Sequence, residues 1–137
     1  MENKILLVDD DPDDREILQD AFKTIKAEQM LHFESNGESA IRYIEDQFEL
    51  GQLPALVVLD MNMPKLSGTQ TLRLIRSDSR FEKIPVVIFS TSLNDKEKKE
   101  CMELGAHSYL IKPIYYNESI ETARQFYRIV TNEDPAE

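Results

Sequence analysis

The sequence predicts an α/β domain, a parallel five-stranded sheet sandwiched between helices. Three observations carry this. Strand-like and helix-like segments alternate along the chain. Two of the strand segments, "KILLV" (Lys4–Val8) and "ALVVLD" (Ala55–Asp60), are continuous apolar runs, as in strands covered on both faces. The links between segments are short, which favours right-handed strand–helix–strand crossovers. The 137 residues suit one compact domain and are too few for two ordinary ones. That domain is expected over residues 1–131, with a disordered polar tail, "NEDPAE", occupying 132–137.

The elements follow in order. After Lys4–Val8, the residues Ile17, Leu18, Ala21, Phe22 and Ile25 recur at helical spacing, with Asp11 placed to cap that helix and Pro12 at its first position. "MLHFE" is a weaker strand. "SNGESAIRYIEDQFEL" places Ala40, Ile41, Ile44 and Phe48 on one helical face, with Gly51 just beyond its end. Ala55–Asp60 is the third strand, followed by the loop "MNMPKLSG" and a helix through Leu72 and Ile75. Pro85–Phe89 is the fourth strand. "NDKEKKECMELG" reads as a helix from an Asn94 or Asp95 cap to a Gly105 stop. "HSYLI" is the fifth strand, and "NESIETARQFYRIV" a final helix whose stripe Ile120, Ala123, Tyr127 and Val130 should cover the sheet. That placement leaves Phe126 and Tyr115 exposed.

Bulk properties exclude several functions. With 41% hydrophobic and 31% charged residues the composition is that of a soluble globular protein. A net charge of -10 argues against a nucleic-acid surface, which needs a basic patch, and suits cations or partners with basic faces. One cysteine, Cys101, excludes an internal disulfide or a cysteine-based zinc cluster. No run approaches the length of a membrane span, and "MENKILLVDD" lacks the apolar core of a signal peptide, so a cytoplasmic location is expected.

In parallel sheets of this kind ligands bind outside the carboxyl ends of the strands. Those ends carry Asp9 and Asp10, Asp60, Ser90 and Thr91, and Lys112 and Pro113. Carboxylates about 4 Å apart repel by roughly 4 kcal/mol at an effective dielectric near 20. Around Mg²⁺, which takes oxygen ligands, the same grouping becomes favourable. Asn62 is close enough in sequence to Asp60 to add a carbonyl or amide oxygen. One oxygen of Asp60 is then suited to attack a phosphoryl group, giving an acyl phosphate, with Ser90 and Lys112 on the phosphoryl oxygens. Asp11, Asp13 and Asp14 read as helix N-terminal acids exposed to solvent.

The ordered set "LLVDDDPDDREIL … VVLDMNMPKLSG … IPVVIFSTS … GAHSYLIKPI" resembles the receiver domain of two-component response regulators, over about Lys4 to Val130. The resemblance implies a flavodoxin-like (βα)₅ fold of strand order 2-1-3-4-5. It implies a signalling phosphoacceptor and not an enzyme with turnover, Asp60 receiving phosphate from a sensor histidine kinase or a histidine phosphotransfer protein. Mg²⁺ would be held by Asp10, Asp60 and the Asn62 carbonyl, with Asp9 acting through water. Ser90 and Tyr109 match the switch pair, Lys112 the pocket lysine, and Pro113 would follow a cis peptide bond. Asn62 and Ser92 lie at positions that tune the lifetime of the phosphoryl group. Thr91 departs from the family, where a small alanine is commoner. Within the family the chain is most similar to stand-alone regulators, including those paired with phytochrome-type kinases. Output would pass by protein contact, including a homodimer through the face carried by the fourth helix, fifth strand and fifth helix.

Competing readings rest on the same residues. A haloacid-dehalogenase-type phosphohydrolase also uses a strand-terminal aspartate with Mg²⁺, but needs an acid two residues later, where this chain has Asn62. An unphosphorylated adaptor would not require the full set of pocket residues. A flavin-binding flavodoxin would not present an acidic first loop to a flavin phosphate.

Overall fold

A computed structural model describes residues 4–135, and all structural statements refer to these. The strands are β1 (Ile5–Val8), β2 (Leu31–Glu34), β3 (Leu56–Asp60), β4 (Val86–Ser90) and β5 (Ser108–Ile111). The helices are α1 (Pro12–Thr24), α2 (Gly37–Glu49), α3 (Gly68–Arg76), α4 (Asp95–Glu103) and α5 (Tyr116–Thr131). Short 3₁₀ turns, absent from the sequence reading, occupy Glu28–Met30 and Ser79–Phe81. All pairings are parallel and the order is β2-β1-β3-β4-β5, as the resemblance implied.

Strand alternation sorts the core into two layers. Leu6, Val8, Val57, Leu59, Val86 and Ile88 face α2, α3 and α4. Ile5, Leu7, Leu56, Val58, Val87 and Phe89 face α1 and α5. Both faces are covered, so the strands are apolar throughout, and each fully buried aliphatic or aromatic side chain contributes about 1.5–3 kcal/mol of transfer free energy.

Local chemistry sets the helix ends. Asp11 caps α1 by accepting the Asp13 N–H, with Pro12 in the first turn. Asn36 caps α2, Ser67 and Gln70 close a reciprocal capping box on α3, and Asn94 caps α4. Gly51 and Gly105 take positive φ of 68° and 95° just past α2 and α4, where a Cβ would be strained. At the sheet end away from the strand carboxyl termini, the Arg76 guanidinium donates to the carbonyls of Phe81, Ile84 and Gly105. It joins the turn before β4 to the end of α4.

Three expectations need correction. Phe126 is 1% exposed and packs edge-on against Phe89, so it is core and not interface. The expected stripe of α5 is incomplete: Ala123 is buried and Ile120, Tyr127 and Val130 are half-buried against the same core, but Ser119, Thr122 and Phe126 are buried with them. Ser119 and Thr122 can lie inside because their hydroxyls donate to the carbonyls of Tyr115 and Glu118 one turn back. The Lys112–Pro113 bond is trans, since no described peptide bond is cis. Trans is the ordinary preference of an X–Pro bond, and the residues that follow, 114–118, are exposed.

The tail is described only to Pro135. There Asn132 adopts φ 60° and Arg128 pairs with Asp134, so residues 132–135 are turned back onto α5. Residues 136–137 of the expected disordered tail, like 1–3 of the expected domain, lie outside the described residues.

Candidate functional site

The carboxyl ends of β1, β3, β4 and β5 meet at one rim. Asp60 closes β3 and is 5% exposed, and Asp9 follows β1 and is 2% exposed. Asp10, next in the chain, is exposed at the mouth of the cleft. The chain turns immediately into α1 because Asp11 caps it, and that turn is braced twice. The Asp11 N–H donates to Asp9 Oδ1 at 2.9 Å, and Arg15 Nη1 donates to the Asp9 carbonyl at 2.7 Å. Behind Asp60, Gly68 begins α3 against bare main chain. A Cβ there would lie 2.7 Å from the Asp60 carbonyl oxygen and 2.9 Å from Met61 Cα.

Lys112 reaches in from β5. Its ammonium lies 2.8 Å from Asp14 Oδ2, 3.0 Å from Asp9 Oδ2 and 3.2 Å from Asp60 Oδ1. The ammonium donates hydrogen bonds to Asp14 and Asp9 and stands as an ion pair beside Asp60. The Lys112 backbone N–H donates to the Ser90 carbonyl at 2.6 Å, fixing the root of the side chain. One oxygen each from Asp9, Asp10 and Asp60 lie within 4.8 Å of one another, a spacing that suits a small divalent cation. Above them opens a cleft of about 440 Å³, lined by Asp10, Asp14, Asp60, Asn62, Thr91 and Lys112 among others.

Electrostatics follow from this crowding. Burial first, and the Asp9 charge second, push the Asp60 carboxyl up to about 6 against the pull of Lys112. Burial also raises Asp9, opposed by hydrogen bonds from the Asp11 N–H and Lys112. Burial works to lower Lys112, but Asp14, Asp9 and Asp60 outweigh it and hold the ammonium charged well above its ordinary value. The donor set is hard oxygen with surplus negative charge, which fits Mg²⁺ or a similar hard cation.

Ser90 is not yet aimed at Asp60. Its Oγ donates to the Ser92 carbonyl at 2.9 Å, and the Tyr109 hydroxyl donates to that same oxygen at 3.2 Å. Tyr109 is 7% exposed and packed inward. Asn62 donates its backbone N–H to Asp60 Oδ1 at 3.3 Å. Ser92 takes part through its backbone, its side chain being exposed.

The rim therefore brings together Asp9, Asp10, Asp60 and Lys112, with Asn62 and Thr91 at the cleft wall, and sets Ser90, Ser92 and Tyr109 in one adjoining network. Two participants were missed. Asp14 had been read as solvated but makes the shortest contact to Lys112, and Arg15 was not singled out. A signal for Asp14 existed: it lies three residues past the Asp11 cap, and helical side chains lean toward the N-terminus, here over the strand end.

The family described as the response regulator receiver domain matches residues 5–124. The chain is similar to response regulator Rcp1 of Synechocystis sp., with 33% identity over 110 residues, 79% of this chain and 75% of that protein. Among solved structures, response regulator RPA3017 in red light signaling of R. palustris is 31% identical with a TM-score of 0.80, covering 97% of this chain and 99% of that one. The Mn²⁺-bound form of Rcp1 is 28% identical with a TM-score of 0.79, covering 96% and 98%.

Proposed function

This chain belongs to the response regulator receiver domain family, and from that premise we propose that it is a cytoplasmic phosphorelay switch that accepts a phosphoryl group on Asp60. The donor is a sensor histidine kinase or a histidine phosphotransfer protein, with phytochrome-type kinases favoured by the likeness to a regulator in red light signaling and to a bacteriophytochrome response regulator 28% identical to this chain. No described helix is long and apolar enough to cross a membrane.

One observation carries the reading. The Asp60 carboxylate lies 3.2 Å from the Lys112 ammonium and within 4.8 Å of the oxygens of Asp9 and Asp10. Asp10, Asp60 and the Asn62 carbonyl would hold Mg²⁺, with Asp9 acting through water. When bound, the metal supplies charge neutralisation for the acids and for the oxygens of the incoming group. The protein's own residues do the rest. A free Asp60 oxygen attacks phosphorus, and the electron pair of the breaking bond leaves with the donor. Lys112 neutralises the transferred oxygens. Asn62 and Thr91 border the approach of water to the product, so Asn62, with Ser92, tunes its lifetime.

Signalling follows from the hydroxyl network. A phosphoryl oxygen on Asp60 competes with the Ser92 carbonyl for the Ser90 hydroxyl, leaving that carbonyl to Tyr109 alone. The loop from β4 to α4 then repacks, altering the face of α4, β5 and α5. That face exposes Met102, Ile111 and Tyr115, which suits a protein partner or a second copy of the chain. Phe126 takes no part in it.

The test is incubation with acetyl phosphate, with and without Mg²⁺, read by intact mass. Wild type gains one labile phosphoryl group only with the metal, and Asp60→Asn gains none. Equal labelling of Asp60→Asn, or none of wild type, overturns the proposal.

A further inference from the structure

The ammonium of Lys112 has three acceptors, and they are not equivalent. Asp9 and Asp60 belong to the acid group that suits a cation; Asp14 does not. Asp14 nevertheless makes the closest contact, 2.8 Å against 3.0 Å and 3.2 Å. It sits in the first turn of α1, half-buried, and lines the cleft above Asp60. The segment that carries it is held: Asp11 caps the helix and Arg15 ties to the Asp9 carbonyl.

We propose that Asp14 is a positioning residue for Lys112, holding the ammonium over Asp60 while the other two carboxylates are engaged in phosphoryl transfer. The inference rests on the receiver reading above. In the transfer an Asp60 oxygen bonds to phosphorus, and the bond from phosphorus to the donor oxygen breaks, its electron pair leaving with acetate when acetyl phosphate is the donor. Asp60 thereby gives up its share of the ammonium to a phosphoryl oxygen. Asp9, whose Oδ1 already accepts the Asp11 N–H, would divide its Oδ2 between Lys112 and the water of a bound cation. Asp14, the one acceptor of the three outside the cation-suited acid group, keeps an undivided hold on Nζ and so fixes where the ammonium stands when the new oxygens arrive. Without it, a flexible four-carbon stem lets the charge wander, and misplacement of a catalytic group by about 1 Å can cost up to about 100-fold in rate.

A plain electrostatic role for Asp14 predicts something different. Removing any nearby acid would weaken cation binding, and saturating metal would restore the rate. Asp13 supplies the control, being the neighbouring exposed acid of the same turn and not among the ion-pair partners of Lys112.

The experiment measures acetyl phosphate labelling of the full chain at saturating Mg²⁺ and donor, for wild type, Asp14→Ala, Asp14→Asn, Asp14→Glu and Asp13→Asn. Asp14→Ala is expected to lower the maximal rate by about tenfold, with Asp14→Glu restoring most of it and Asp13→Asn matching wild type. Thermal melts confirm that each variant is folded; if Asp14→Ala is not, the isosteric Asp14→Asn bears the test. A maximal rate unchanged in Asp14→Ala or Asp14→Asn, or one lowered equally by Asp13→Asn, overturns the inference while leaving the receiver reading intact. Failure of wild type to label overturns that reading instead.

Discussion

Asp60→Asn should stabilise the fold in metal-free buffer at neutral pH. The folded state pushes the carboxyl from its ordinary 3.8 up to about 6, through burial and then the Asp9 charge. A shift of about two units is worth about 3 kcal/mol between charged and neutral forms. The cleft is open to water, so screening reduces this to about 1–2 kcal/mol. The sign follows from proton linkage. Because the folded value lies above the unfolded one, the native state keeps a proton that the unfolded chain has lost, and stability falls as pH rises from about 4 to about 6. Above that window the penalty is constant; below it there is none. Asn preserves the shape of the side chain and can still accept from Lys112. Urea unfolding followed by circular dichroism, with chelator, should show the full gain at about pH 7.5 and almost none at about pH 3.5. A variant no more stable than wild type at about pH 7.5, or equally stabilised at both values, would refute the reasoning.

Further outcomes can be checked by similar means. Mg²⁺ at about ten times its dissociation constant should raise wild-type stability by about 1.4 kcal/mol, and Asp10→Asn should lose most of that increment in the same titration. Phe126→Ala should destabilise by about 3–5 kcal/mol in urea, because the ring is core against Phe89. Tyr115→Glu, on a residue 67% exposed, should leave stability within about 0.5 kcal/mol while weakening any self-association seen by sedimentation. Arg76→Met strands the carbonyls of Phe81, Ile84 and Gly105, and should cost about 2 kcal/mol without changing acetyl phosphate labelling.

The sheet was legible because its inner strands are apolar without interruption up to their carboxyl ends, which only a layer covered on both sides requires, as residues 56–59 and 86–89 show. Caps were legible because Asp11 and Asn94 stand one residue ahead of their helices. The face of α5 was not. Its apolar residues admit two overlapping stripes, and Ser119 and Thr122 look like surface positions until their hydroxyls are seen bonding within the helix. At the site, residues directly at strand ends could be placed by topology alone, which located Asp9, Asp10, Asp60 and Lys112. Asp14 and Arg15 enter from the first helical turn, and their contacts depend on how steeply α1 leaves the sheet, which residue spacing does not specify. The direction of the Ser90 hydroxyl is a rotamer choice with two good acceptors in prospect, and the sequence favours neither.

Gly68 gives the site an unyielding back wall. A single methyl at that position would press on the carbonyl of Asp60 itself and on Met61, and backbone cannot swing aside as a long side chain does. Any larger residue there must either lift the start of α3 or shift the main chain of Asp60 and Met61. Damage from such a change would therefore reach the Asp60 carboxylate through its own main chain, although residue 68 is no part of the acid group.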